Sequence, residues 1–126
     1  MKVGLCMARI LVADDAIFIR MTIERILQAK DHKIVGEAVT GVETVEKFVE
    51  LKPDVVILDI SMPEMSGIDA LKQILEIDPK AKVIICSALG QQQFVSQAME
   101  IGAADYIVKP FEAARFVEAL ENALIK

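Results

Sequence analysis

Short apolar runs alternate with amphipathic stretches from one end of the chain to the other. The runs are rich in Val, Ile and Leu, as in strands that are buried on both faces of a sheet. The amphipathic stretches repeat their apolar residues at helical spacing. Regular alternation of this kind is typical of βαβ units, which build a parallel sheet with helices packed on it. The sequence therefore predicts an α/β fold with five strands and five helices.

The predicted elements fill the chain, and Pro53 and Gly102 stand where helices are expected to have ended. Strands are expected at 9–15, 33–38, 54–59, 82–87 and 105–109. Helices are expected at about 15–29, 41–51, 68–77, 91–101 and 112–125. The helical period turns a set of apolar side chains inward, namely Ile19, Ile23, Ile26 and Leu27 on the first helix and Val42, Val45, Phe48 and Val49 on the second.

Length and composition indicate one globular domain. The 126 residues suit a single domain, in which 1–6 are expected to be an N-terminal extension ahead of Met7. A hydrophobic fraction of 54% is enough for a packed core, so disorder is not expected.

The net charge of −5, without a basic stripe, argues against a free-standing nucleic-acid-binding protein. Cys6 and Cys86 are too few for a disulfide framework, and Cys86 is expected to be a buried thiol. Without a membrane-spanning stretch or a signal-peptide pattern, we expect a cytoplasmic protein.

Polar residues close four of the apolar runs. Asp15, preceded by Asp14, ends the first run, and Asp59, Ser87 and Lys109 end three later ones. Because parallel strands place their carboxyl ends along one edge, where ligands bind in open α/β folds, these groups are expected to meet in one cleft. Three carboxylates held close together repel one another, so the cleft needs a cation. Oxygen ligands in this number suit Mg²⁺ or Mn²⁺.

Each of these residues also has an ordinary alternative role. The Asp14–Asp15 pair precedes a helix and could simply cap it. Lys109 could be a solvated surface lysine, and Ser87 alone is a routine strand terminator. Asp59 favours a functional cleft, because it ends the most hydrophobic strand, where an unpaired charge would be costly.

A known family carries the same residues in the same order. From Ala8 to Lys126 the chain resembles the receiver domain of bacterial response regulators, on the strings Asp14-Asp15, Asp59, Ser87-Ala88 and Lys109-Pro110-Phe111. The segments DDAIFIRMTI, DISMPEMSGIDAL and CSALGQQ are similar to single-domain chemotaxis members of that family. The resemblance implies a flavodoxin-like, doubly wound (βα)5 fold whose parallel strands lie in the order 2-1-3-4-5.

The resemblance also implies a chemical role for the residues of the cleft. Asp59 would accept a phosphoryl group, and Lys109 would balance the added charge. The implied cofactor is Mg²⁺, with Mn²⁺ as a substitute. Its ligands would be Asp14, Asp15, Asp59 and the backbone carbonyl of Ser61.

A conformational switch is implied as well. Its members would be the hydroxyl of Ser87, where many relatives have threonine, and the aromatic ring of Tyr106. The Lys109–Pro110 peptide bond is usually cis in the family. Phosphorylation would change the surface formed by the fourth helix, the fifth strand and the fifth helix.

The partners implied are a histidine kinase of the chemotaxis type, a flagellar motor switch protein and a phosphatase. The protein would be a monomer that binds neither nucleic acid nor membrane, and a signalling switch rather than an enzyme, catalysing only its own phosphorylation and dephosphorylation. Two apolar faces are candidate contacts: Ile17, Phe18 and Met21 on the first helix, and Gln92, Val95 and Met99 with Tyr106 and Val108.

Other functions of the same architecture are weaker. The main alternative is a receiver domain excised from a larger, DNA-binding transcriptional regulator. A flavodoxin would need a Ser/Thr/Gly-rich phosphate loop where this chain has DDAIF, and a Mg²⁺-dependent phosphatase would need a second carboxylate where Ser61 stands. His32, between the first helix and the second strand, is interpreted as a solvated side chain.

Overall fold

The computed structural model describes residues 7–62 and 64–125, so the expected extension 1–6, with Cys6, lies outside the described residues. Five strands alternate with five helices in the order β1 (Arg9–Ala13), α1 (Ile17–Gln28), β2 (Lys33–Ala38), α2 (Gly41–Leu51), β3 (Val55–Asp59), α3 (Gly67–Ile77), β4 (Val83–Ser87), α4 (Gln92–Ile101), β5 (Asp105–Val108) and α5 (Ala113–Leu124). All neighbouring strands are parallel and lie in the order β2-β1-β3-β4-β5. The predicted fold class and strand order are confirmed.

Helices cover both faces of the sheet, because successive strand side chains point to opposite faces. On one face Ile10, Val12 and Ile57 pack with side chains of α1 and α5. On the other face Leu11 and Leu58 pack with side chains of α2, α3 and α4. β3 and β4 are buried along their whole length, which explains their continuous apolar sequence. Every helix in the described part of the chain is too short or too polar to cross a bilayer.

The inward face of α2 differs from the prediction. Val42 and Val49 are 38% and 51% exposed, whereas Gly41, Thr44 and Phe48 are the buried residues of this helix. A Cβ added to Gly41 would lie 2.1 Å from the backbone carbonyl oxygen of Met65, so only glycine allows α2 this close to the start of α3. The contact therefore turns the face of Gly41, Thr44 and Phe48 toward the sheet. Hydrophobic periodicity cannot detect this face, because a glycine and a threonine belong to it.

The interpretation of His32 as a solvated side chain is wrong. Its ring is buried, and its Nδ1 accepts a hydrogen bond from the Ala8 N–H at 3.1 Å. Burial lowers the pKa of His32, against the opposing effect of the carboxylates of Glu121 and Asp31. The ring therefore packs as a neutral group beside the start of β1. This contact joins residues 24 positions apart in the chain, so the sequence around His32 does not reveal it.

The start of α3 lies directly against the end of β3. Gly67 donates its N–H to the Ile60 carbonyl at 3.0 Å, and a Cβ at Gly67 would stand 2.3 Å from the carbonyl oxygen of Asp59. Ser66 caps the helix by accepting the Asp69 N–H. This close approach of two backbones fixes the main chain of Asp59 at the carboxyl edge of the sheet.

Candidate functional site

Three carboxylates meet at the carboxyl edge of the sheet. Ala13 pairs with Leu58 in the β1–β3 ladder, so Asp14 and Asp59 follow at neighbouring strand ends. One oxygen from each of Asp14, Asp15 and Asp59 lies within 4.8 Å of the others. Asp14 and Asp59 are only 1% and 6% exposed, while Asp15 is exposed. The structure thus brings together the three acidic residues that the sequence pointed to.

Asp14 is held on all sides. Its Oδ1 accepts the Ala16 N–H at 2.9 Å, and its Oδ2 accepts from the Lys109 ammonium at 2.7 Å. Its own N–H donates to the Ala38 carbonyl at 3.0 Å, and its carbonyl accepts from the Arg20 guanidinium at 2.7 Å. The bond to Ala16 also explains why α1 begins two residues later than predicted, since it closes a turn before the helix. Asp14 is therefore a fixed charge.

Lys109 lies between two of the carboxylates. Its Nζ is 2.7 Å from Asp14 Oδ2 and 3.5 Å from Asp59 Oδ1, so its closer partner is Asp14. Burial disfavours the charged form of Lys109, but the hydrogen bond to Asp14 and the charge of Asp59 outweigh it, and the pKa lies above its usual value. The residue is thus a bound counter-ion and not a solvated surface lysine. The Lys109–Pro110 peptide bond is cis.

Asp59 carries an unfavourable charge. Burial, followed by the nearby charge of Asp14, raises its pKa from 3.8 to about 6, while Lys109 and the Ser61 N–H oppose the shift. The Ser61 N–H donates to Asp59 Oδ1 at 3.3 Å. The described contacts of Asp59 thus all fall on Oδ1, and Oδ2 has no protein donor among the described residues. Since no fully buried side-chain oxygen of the described residues lacks a partner, Oδ2 is accessible to solvent.

The donor set fits a divalent cation. The three carboxylates sum to −3 and Lys109 returns +1, so the cluster keeps a formal charge of −2. Burial raises the pKa of Asp59 most, and the neighbouring negative charges of Asp14 and Asp15 raise it further. A hard cation with several oxygen ligands and some retained waters would balance the remaining charge, which is the usual environment of Mg²⁺.

Ser87 and Tyr106 border one groove next to the cleft. Ser87 is buried at the end of β4, and Tyr106 on β5 is about half exposed. The groove has a volume of about 480 Å³, and its lining includes Ser87, Gln92, Val95, Met99, Tyr106 and Val108. The predicted face of α4 therefore shares one space with both predicted switch residues. Buried Cys86, as expected, has its thiol pKa raised by burial.

Arg115 holds the backbone beside Tyr106. Its guanidinium donates to the Tyr106 carbonyl at 2.8 Å and to Asp105 at 3.0 Å, and it lies 6.0 Å from the centre of the tyrosine ring. The sequence reasoning did not find this residue, nor Arg20, which pairs with Glu37 at 2.7 Å while holding Asp14. Both arginines belong to helices next to the strand ends, and no local pattern distinguishes them from surface charges.

The apolar face of α1 is exposed, as predicted. Ile17, Phe18 and Met21 are 64%, 72% and 51% exposed. They lie on the first two turns of α1, directly after Asp14 and Asp15. Three large exposed apolar side chains on neighbouring turns beside a charged cleft are more than a solvated helix needs.

Comparison with known proteins agrees with this geometry. The response regulator receiver domain matches residues 10–121. The chemotaxis protein CheY of Thermotoga maritima is 55% identical over 114 residues, covering 90% of this chain and 95% of that protein. CheY of Bacillus subtilis is 52% identical over 92% of this chain and 97% of that one. A chain of the CheX–CheY–BeF3–Mg complex from Borrelia burgdorferi superimposes with a TM-score of 0.88 at 35% identity, over 94% of this chain and 90% of that one.

The chain belongs to the response regulator receiver domain family. Within that family it is similar to the single-domain chemotaxis proteins named CheY, and this confirms the resemblance stated from the sequence.

Proposed function

We propose that Asp59 accepts a phosphoryl group from the phosphohistidine of a histidine kinase. Asp59 Oδ2 attacks phosphorus, an O–P bond forms, and the P–N bond breaks with its electron pair returning to the imidazole of the donor. The observation that carries this proposal is the buried position of Asp59, with one oxygen held and the other without a described protein donor. A carboxylate that is poorly stabilised as an anion is well suited to covalent modification.

The other residues of the cleft would position and stabilise the transferred group. Lys109 is 3.5 Å from Asp59 and could move toward the phosphoryl oxygens while keeping Asp14 within reach. Asp14, Asp15, Asp59 and the Ser61 carbonyl would hold Mg²⁺, which supplies positive charge against the phosphoryl oxygens when it is bound. The protein would thus act as a switch that catalyses only its own phosphorylation and dephosphorylation.

The switch would run through the groove beside β4. We infer that the Ser87 hydroxyl turns to donate to a phosphoryl oxygen, and that the Tyr106 ring then enters the groove of about 480 Å³ that borders both residues. The surface of α4, β5 and α5 would change with it. An occupied and an unoccupied groove present different faces to a partner.

The similarity to CheY proteins supports a chemotaxis role in the cytoplasm. In this role a monomer receives phosphate from a chemotaxis histidine kinase and binds a flagellar motor switch protein through α4, β5 and α5. The exposed face of Ile17, Phe18 and Met21 would receive the kinase or a phosphatase, because it adjoins the acidic cleft.

The test of the phosphoacceptor is incubation with acetyl phosphate and Mg²⁺, followed by mass spectrometry of the intact protein and its peptides. The wild-type protein should gain one phosphoryl group on the peptide containing Asp59, and Asp59→Asn should gain none. Asp69→Asn, which changes an exposed aspartate on α3, is the matched control and should behave as the wild type. Modification of Asp59→Asn at the normal rate would disprove the assignment.

The test of the output surface uses a flagellar motor-switch peptide and the beryllofluoride-loaded protein. Binding should require loading, and Met99→Glu should weaken it without changing phosphorylation. If the beryllofluoride-loaded protein does not bind the peptide, although the protein can be phosphorylated, the better interpretation is a receiver domain excised from a DNA-binding regulator. If Met99→Glu unfolds the protein, the residue is part of the core.

A further inference from the structure

The hydrogen-bond alternation of β4, continued one residue past its end at Ser87, directs the N–H of Ala88 toward the gap between β4 and β3. Along a strand, alternate residues direct their N–H and C=O groups to the same neighbour. Lys82 and Cys86 accept hydrogen bonds from β3 and its continuation, through the N–H groups of Val56 at 2.9 Å and Ile60 at 3.0 Å. By the same alternation, Ala88 faces the side on which β3 ends.

The backbone carbonyl that would continue this ladder accepts its hydrogen bond from another residue. The next acceptor along β3 is the Ile60 carbonyl, but it accepts from Gly67 at 3.0 Å because α3 begins there. The Ala88 N–H instead donates to the side-chain Oε1 of Gln91 at 2.7 Å. A glutamine amide therefore takes the place of a missing strand carbonyl, one step beyond the position where Asp59 pairs with Cys86.

We propose that Gln91 is a latch that competes with an anionic group on Asp59 for the Ala88 N–H. The inference rests on the proposed function of Asp59. A phosphoryl group adds negative charge and three strong acceptor oxygens, which need donors at this edge. The Ala88 N–H is a backbone donor on the correct side of β4, and in the unmodified protein it is already bound. Phosphorylation would have to displace the Gln91 amide before this donor becomes available.

The loop around the latch is built to release it. Leu89 is 78% exposed, and Gly90 has a φ of +90° with no atom within 4 Å of a Cβ built there. Leu89 and Gly90 therefore do not oppose a movement of the Gln91 side chain, while the Gln91 carbonyl continues to accept from the first turn of α4. The latch lies directly before α4, so its release would loosen the loop that leads into the helix bordering the groove of Ser87 and Tyr106.

The experiment measures the affinity for beryllofluoride, a stable analogue of the phosphoryl group, with Mg²⁺ in excess. Gln91→Met keeps the length of the side chain and removes the acceptor, so the dissociation constant should fall about 2- to 12-fold, as expected for removing one competing hydrogen bond. Gln91→Glu keeps an acceptor and adds a negative charge, and it should bind more weakly than the wild type. Gln93→Met, an exposed position on α4, is the control and should bind as the wild type does.

The hydrogen-exchange rate of the Ala88 amide reports directly on its hydrogen bond to Gln91. Without ligand, the amide should exchange faster in Gln91→Met than in the wild type and be unchanged in Gln93→Met. If Gln91→Met binds beryllofluoride with equal or lower affinity than the wild type, Gln91 only fastens the loop and the latch is refuted. If the wild type does not bind, or Asp59→Asn binds equally well, the proposed function of Asp59 itself fails, and that result is independent of Gln91.

Discussion

Replacing Asp59 by asparagine, which has the same size and no charge, should stabilise the protein when no divalent cation is present. The pKa of Asp59 is about 6 in the folded protein against an ordinary value of 3.8, and its side chain is almost fully buried. At about 1.4 kcal/mol per pKa unit, this difference corresponds to a cost of about 3 kcal/mol for holding the charged form at neutral pH. The amide should recover most of that energy.

The pH dependence of this effect has a definite sign. Between pH 3.8 and about 6 the folded protein keeps a proton on Asp59 that the unfolded chain has lost. The stabilising contribution of that proton is fully present below pH 3.8, and it disappears as the pH rises through about 6. The gain in unfolding free energy from Asp59→Asn should therefore be small at pH 4 and reach about 3 kcal/mol at pH 7.5.

Urea unfolding followed by far-UV circular dichroism is the suitable assay, because the chain has no tryptophan to serve as a fluorescence probe. Chelator should be present throughout, and Asp69→Asn, which removes a charge from the first turn of α3, should lower the unfolding free energy by no more than about 1 kcal/mol. Adding Mg²⁺ at about 100 times its dissociation constant should stabilise the wild type by about 2.7 kcal/mol and the Asp59→Asn variant by less. A metal-free Asp59→Asn protein no more stable than the wild type at pH 7.5 would refute the reasoning.

Three further substitutions test how the fold positions the cleft, each by urea unfolding. Gly67→Ala should cost about 1–3 kcal/mol, because its Cβ meets rigid backbone at 2.3 Å, whereas the Cβ of Gly36→Ala meets only side-chain ends, of which Leu51 alone is closer than ordinary contact; equal costs would contradict the packing argument. Thr40→Ala should cost about 1 kcal/mol by removing the cap of the Glu43 N–H, and an unchanged midpoint would argue against the cap. The pKa of buried His32 lies below that of the unfolded chain, so its stabilising contribution is complete above pH 6.5 and is lost as the pH falls; the stability advantage of the wild type over His32→Asn should shrink from pH 7.5 to pH 5, and a constant difference would disprove the assignment.

The fold and the members of the cleft follow from strand-end residues, because each apolar run ends at the same edge of a parallel sheet. Asp14, Asp59 and Lys109 each directly follow the last apolar residue of a strand, and the hydrophobic pattern predicts the position of that residue correctly. Their convergence needs only the strand order and no knowledge of loop conformation. The chemical roles assigned to these residues remain predictions.

What the sequence did not reveal depends on contacts between distant backbones and long side chains. The rotation of α2 follows from the approach of Gly41 to Met65, and the burial of His32 follows from the hydrogen bond to Ala8. Neither contact leaves a local pattern, since a glycine and a single histidine occur in many settings. Gln91 is likewise one of three consecutive glutamines, and only the three-dimensional structure shows which of them holds the Ala88 N–H.

The two sides of the cleft differ in how firmly they are held, and this difference predicts the direction in which a signal travels. On the β1 side, Asp14 is fixed by four hydrogen bonds, including one from the guanidinium of Arg20. On the β4 side, the loop after Ser87 is exposed at Leu89, and the described residues hold its Ala88 N–H through the side chain of Gln91 alone. A new anionic group on Asp59 would therefore be approached by hydrogen-bond donors of the β4 loop. The β1 side would stay in place, because moving Asp14 would break several hydrogen bonds at once. Phosphorylation should therefore alter hydrogen exchange in α4 and β5 and leave that of β1 nearly unchanged.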